Sequence, residues 1–211
     1  MVGGMSRSQP VKLAPGTHGL ARDEVDRIQR QRLFDAMAEV VAEVGYEETS
    51  VERVLTAAGI SRRTFYELFT DREDCFVGAY EAAMRHVFKL VTDAYLDCAT
   101  PERRIEEALK AFLGYCAENP SVARMCIVEV FAAGARAREK RAEFMSRFAA
   151  LMQHALGEMR GDEQLDRLAA QALVGGVHEV IYGPIDRGDV AELPGLAAEI
   201  VSSQIAPLVE V

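Results

Sequence analysis

From Arg22 onward, apolar residues recur at helical spacing, and no segment keeps the strict alternation of a half-buried strand. A first helix is predicted over about 23–44, with Leu33, Met37, Val40, Val41 and Val44 on one face and Gly45 at its end. A second, short helix is predicted to begin at Thr49, because Thr49 and Glu52 have the spacing of a capping box, and to stop at Gly59. Ser61 is a good N-cap for a third helix over 62–69, and Asp71 for a long fourth helix with Phe76, Tyr80, Ala83, Val87, Val91 and Ala94 in one stripe. A fifth helix carries Ile105, Leu109, Phe112 and Cys116 and closes at Asn119-Pro120. Residues 121–133 are almost wholly apolar and must be buried on most sides. A helix with Phe144, Phe148, Leu151, Met152, Ala155 and Met159 then runs to Gly161. Two more are predicted at about 163–182 and 194–209, with Gly183-Pro184 and residues 188–194 forming the turn between them. The expected fold is all-α: an N-terminal three-helix unit over 22–74 and a larger helical body over 75–211, preceded by a flexible, glycine- and proline-containing arm over 1–21.

Two short helices joined at Gly59-Ile60-Ser61 make a helix-turn-helix, whose second member can lie in the DNA major groove. On that member Phe65, Leu68 and Phe69 face inward, while Arg62, Arg63 and Tyr66 share the outward face. A guanidinium offers paired donors to guanine or phosphate oxygens, and helix starts such as Thr49 and Ser61 present free amides to phosphate.

Net charge qualifies this picture. The chain carries −9 overall, which argues against nucleic acid until its distribution is considered. Residues 1–22 hold Arg7, Lys12 and Arg22 and no acid, whereas residues 23–74 hold 7 basic and 13 acidic groups. A DNA reader needs a local basic footprint rather than a basic average. The footprint must therefore be small, with the acidic groups on other faces.

The order of the whole segment is more specific than its charge. Gly45-Tyr46, Thr49-Ser50-Val51, Ala57-Ala58-Gly59-Ile60-Ser61, Thr64-Phe65-Tyr66 and Phe69, followed by Arg72-Glu73, closely resemble the DNA-binding region of the TetR (tetracycline-repressor) family over about residues 28–78. The resemblance implies a homodimer of all-helical subunits, usually a repressor, released from a roughly palindromic operator by a small-molecule effector. It further implies DNA-backbone contacts at Thr49, Thr64, Tyr66 and Arg72, and base reading by Arg62 and Arg63. Two departures stand out: Leu68 cannot make the phosphate contact that His or Tyr makes there in the family, and Arg72 replaces the usual lysine.

In the body, Phe112, Tyr115, Met125, Phe148 and Met152, with His178 and Tyr182, are the candidate effector residues, since methionine and aromatic groups suit adaptable apolar pockets. Most such stripes are simply core. Gly175 and Gly176, with Ile200 and Ile205, are the candidate dimer seam, because the family places its last two helices there. Glu129 within an apolar run calls for a partner, and Arg124 or another buried base is favoured over a cationic ligand. Cys75, Cys98, Cys116 and Cys126 lack the close pairs of a zinc site and suit packing; the histidines show no shared metal spacing.

Neither a nucleophile–base pair, a Glu-x-x-His iron motif nor a phosphate loop is present, so an enzyme is not expected, and neither metal nor cofactor is assigned. No signal peptide or membrane-length apolar run appears, and a cytoplasmic protein is expected. The alternative to an effector-gated regulator is an architectural DNA-binding dimer without a ligand, for which the helical body is larger than needed.

Overall fold

The computed structural model describes residues 22–160 and 167–209. The arm over 1–21 and the helix end predicted at Gly161 lie outside the described residues, and among the latter there is no strand.

Helix α1 (Arg22–Glu48) outlasts its predicted end: Gly45, at φ 78° and ψ 161°, breaks the helical path, and a last turn follows the kink. Only glycine holds that conformation without strain. Helix α2 (Val51–Ala58) starts later than the capping-box spacing suggests. Thr49 is 1% exposed and turns its hydroxyl inward to the Gly45 carbonyl at 2.7 Å. Ser50 is therefore the N-cap, its Oγ accepting from the Arg53 amide at 3.2 Å, and Glu52 falls one position short of a capping-box partner. Gly59, left-handed at φ 63°, ends α2 by donating its amide to the carbonyls of Leu55 and Thr56. Helix α3 (Arg62–Leu68) has Ser61 as its N-cap, and Asp71 caps α4 (Arg72–Asp97), as the sequence predicts.

Helices α5 (Pro101–Glu118) and α6 (Pro120–Ile127) each begin on a proline, where the missing amide costs nothing. A 3-10 turn (Glu129–Phe131) leads to α7 (Ala135–Arg160). Helix α8 (Arg167–Arg187) runs through the Gly183-Pro184 pair that was predicted to turn. Ile181 and Ile185, at 0% and 2% exposure, carry its buried stripe past the proline, and Gly188 at φ 81° ends it instead. A 3-10 stretch (Val190–Gly195) follows, then α9 (Leu196–Ile200), a π turn (Val201–Ile205) and α10 (Ala206–Val209).

Helices α1 to α3 form the N-terminal unit. Its centre is Leu33, Met37, Val54 and Phe65, all 0% exposed, with Phe76 of α4 edge-on to Tyr46 at 5.1 Å. Helix α4 thus starts inside this unit and continues into the body, where it packs on α5 and α7, while α7 packs on α8. Cys75, Cys116 and Cys126 are buried free thiols, and burial pushes the Cys75 and Cys116 pKa up to about 12, so they pack rather than react. Cys98 is only half-buried. Among the described residues no group of acids, histidines and cysteines converges on a metal position, and no helix is long and apolar enough to cross a membrane.

Candidate nucleic-acid interface and effector cavity

Phe65 anchors α3 from below, fully buried, with Phe69 tilted against it at 5.8 Å. This turns Arg62, Arg63 and Tyr66 outward; the Tyr66 ring is 52% exposed and edge-on to Phe65. The Arg63 side chain is 89% exposed and held by Glu67 at 2.9 Å, whereas Arg62 has no ion pair among the described residues. Ser61 and Thr64 are tied together at the helix start, hydroxyl to hydroxyl at 2.9 Å, and Ser61 Oγ also accepts from the Thr64 amide at 3.1 Å. Their capacity for phosphate is thereby partly used, but Ser61 remains exposed.

Thr49 and Arg72 are placed differently from the expectation. Thr49 is buried, so it offers no hydroxyl to a phosphate. Arg72 stacks its guanidinium over the Tyr46 ring at 4.2 Å and donates to the carbonyls of Tyr46, at 3.1 Å, Glu47, at 3.2 Å, and Thr49. It closes the frayed end of α1, where helix carbonyls lack partners. Its family-implied phosphate role gives way here to a clasp between α4 and the α1–α2 turn. Arg32 makes a similar clasp on the next turn, donating to the Ala58 carbonyl at 2.5 Å.

The body holds an apolar cavity of about 880 Å³ including its mouth. Its walls come from α4 (Tyr80, Met84, Val91), α5 (Ile105, Ala108, Phe112), α7 and α8. Of the residues expected to bind an effector, Phe112, Phe148, Met152 and His178 line it. Tyr115, Met125 and Tyr182 do not: Met125 is core at 1% exposure, Tyr115 stacks near His86 at 5.1 Å, and the Tyr182 ring is 6.5 Å from His178. Sequence reasoning passed over Arg141 and Met145, which also line the cavity; α7 is rich in basic residues, so nothing marked Arg141 out as the one that turns inward.

Residues 33–79 match the family described as bacterial regulatory proteins, tetR family. That stretch spans the helix-turn-helix and the root of α4. The helix-turn-helix segment is thus similar to that of the TetR family. The relatives that the chain matches are regulators. The fatty acid metabolism regulator protein of Bacillus subtilis is 24% identical over 162 residues, covering 74% of this chain and 82% of that protein. The HTH-type transcriptional regulator BetI of Escherichia coli is 32% identical over 89 residues, 41% of this chain and 44% of BetI, so that likeness spans less than half of the relative. The fold is shared with the fatty acid degradation regulator FadR of Bacillus halodurans, at TM-score 0.77 and 20% identity over 84% of this chain and 95% of that one. It is shared too with FadR of Bacillus subtilis in complex with stearoyl-CoA, at TM-score 0.75 and 19% identity over 83% and 97%.

The helix-turn-helix unit and the body are pinned at one further point. The kink at Gly45 leaves the Tyr46 amide without a helical partner, and Glu129 Oε2 accepts it at 2.9 Å. Glu129 Oε1 accepts from Arg124 at 3.1 Å, and Arg124 also donates to the Asp186 carbonyl near the end of α8 at 2.7 Å. The expected Glu129–Arg124 pair is therefore present, and it extends from α1 to α8. On α8, Gly175 has open space where a Cβ would stand, while Gly176 faces Gln204 Oε1 of the same chain at 3.0 Å. Leu168, at 68% exposure, and Val180, at 38%, are the large apolar residues that α8 leaves exposed. Ile200 and Ile205, named for the seam, are 3% and 1% exposed within their own subunit, so they hold the C-terminal helix from inside and cannot face a partner.

Proposed function

We propose that this protein is a cytoplasmic homodimeric repressor that leaves a two-fold symmetric operator when a lipophilic small molecule enters its body. The observation that carries this reading is the course of α4. Its first turn grips the α1–α2 turn through Arg72, and Tyr80, Met84 and Val91 further along the same helix form one wall of the cavity. A molecule that displaces that wall tilts the lever on which the reading helix is mounted. Two reading helices must sit roughly 34–36 Å apart to enter successive major grooves, so a modest tilt spoils simultaneous docking.

In this reading Arg62 and Arg63 contact bases, Tyr66, Ser61 and Thr64 contact the DNA backbone, residues 22–74 form the DNA-binding domain and 75–211 the sensing and dimerisation domain. The exposed face of α8 around Gly175 is the seam. The stearoyl-CoA bound by the Bacillus subtilis FadR supports a long apolar effector. The cavity also weighs against a purely architectural DNA-binding dimer, which has no use for one.

Selection of duplexes from a random pool with the full chain, followed by footprinting, tests the DNA half. A two-fold symmetric site protected by wild type and lost in Arg62→Ala is expected. Enrichment of no common sequence overturns the reading.

A further inference from the structure

This inference rests on the effector reading and concerns the polar end of the effector. Two polar atoms in the residues lining the cavity are buried without a hydrogen-bond partner: Arg141 Nε on α7 and His178 Nε2 on α8. Two other cations of α7 are neutralised, Arg136 by Asp74 at 2.9 Å and Lys140 by Glu81 and Glu143 at 3.3 and 3.0 Å, while Arg138 donates to the Phe131 carbonyl and Arg147 lies over the Phe88 and Phe144 rings. Arg141 has no ion pair among the described residues. Its guanidinium lies over the Phe131 ring at 4.7 Å, and His178 stands edge-on to the same ring at 6.2 Å. Phe131 is 44% exposed, so this polar end lies next to the surface while the remainder of the lining is almost wholly apolar.

Burial lowers the His178 pKa to about 4, with the neighbouring Arg141 charge acting in the same direction, so the imidazole is neutral. The wall therefore presents one permanent cation and one neutral imidazole, with no anion among the described lining residues to answer them. A half-buried cation lacking its counter-charge is costly, and an aromatic face offsets only part of that cost. The face also leaves Nε without an acceptor. Charge complementarity asks for a ligand that brings the missing anion.

We propose that the cavity receives an apolar molecule ending in a single carboxylate, its chain lying between α4, α5 and α7 and its carboxylate accepting hydrogen bonds from Arg141 and His178. An alcohol of the same chain fills the same apolar space but brings no charge to Arg141, and an acyl-CoA thioester places a neutral linkage where the carboxylate would stand, with its phosphates farther along.

Calorimetric titration of the full chain with saturated fatty acids from octanoate to octadecanoate, the matching n-alkanols and the matching acyl-CoA thioesters tests this. The best carboxylate is expected to bind roughly ten- to a hundred-fold tighter than its alcohol, the range set by one charge-assisted pair. Arg141→Met, which keeps the apolar stem, should erase that preference while alcohol binding persists, and persisting alcohol binding shows the cavity intact. Arg141→Lys keeps the charge and should retain a preference. Equal binding of carboxylate and alcohol by wild type, a preference surviving Arg141→Met, or a thioester bound tightest and indifferent to Arg141→Met would each overturn the carboxylate anchor and leave the lipophilic effector standing. Binding of none of the three series overturns both.

Discussion

Glu129 offers a sharp test of how the DNA-reading unit is held on the body. Its carboxylate ties the Tyr46 amide to Arg124, and the side chain is only 11% exposed. Glu129→Ala strands a buried amide, at a cost of about 1–3 kcal/mol, and leaves the Arg124 guanidinium, 27% exposed, with Asp186 alone. Breaking a fully buried pair from one side costs about 3–5 kcal/mol, and partial exposure of Arg124 places this pair lower. A total of about 2–4 kcal/mol is expected. For a chain of this size each kcal/mol moves Tm by about 2–4 °C, so Tm should fall by roughly 4–16 °C. Glu129→Gln keeps an acceptor for the Tyr46 amide but turns a donor toward Arg124, and should lose about half as much. Thermal and denaturant melts of both variants measure this. A Glu129→Ala protein that melts within a degree of wild type would refute the claim that this contact holds the kink at Gly45.

Other predictions follow from the same geometry. Arg72→Ala removes a clasp on three carbonyls, so it should lower Tm by several degrees and leave the salt dependence of DNA binding within about half a unit of slope; a slope reduced by about one unit would restore a phosphate contact. Gly175→Arg should dissociate the dimer in sedimentation without lowering the monomer's stability, because the position opens to space, whereas Gly176→Arg must first push the Gln204 side chain aside. A dimeric Gly175→Arg protein would move the seam elsewhere. His178 has a folded pKa of about 4 against 6.5 ordinarily, so the unfolded chain takes up its proton first and stability falls as pH drops from 6.5 toward 4. His178→Leu should flatten that part of the stability profile, and an unchanged profile would mean that the imidazole takes up its proton alike in the folded and unfolded chain.

Helix order, the caps at Ser61 and Asp71 and the outward face of α3 were legible because local signals and tertiary packing agree there. The predicted turn at Gly183-Pro184 failed because a proline near a helix C-terminus removes only one bond, and the buried Ile181 and Ile185 repay it. Thr49 failed as a cap because its hydroxyl had a second acceptor, the Gly45 carbonyl freed by the kink, which only the folded α1 reveals. The body was harder still. Phe112 and Met125 are alike in sequence, yet one faces the cavity and the other the core, a difference of helix rotation that composition does not encode. Ile200 and Ile205 illustrate the same point at the seam: an apolar stripe on a terminal helix suits a partner and its own core equally well.

The central claim, that filling the cavity moves α3 through α4, can be tested before any effector is known. Ala108 lines the cavity beside α4 and is 8% exposed. Ala108→Phe places a ring in the space an effector would take. Measured by fluorescence anisotropy on the selected operator, the folded, dimeric variant should bind about 5- to 150-fold more weakly than wild type, the usual size of allosteric coupling. A folded, dimeric Ala108→Phe protein that binds operator as tightly as wild type would contradict the account.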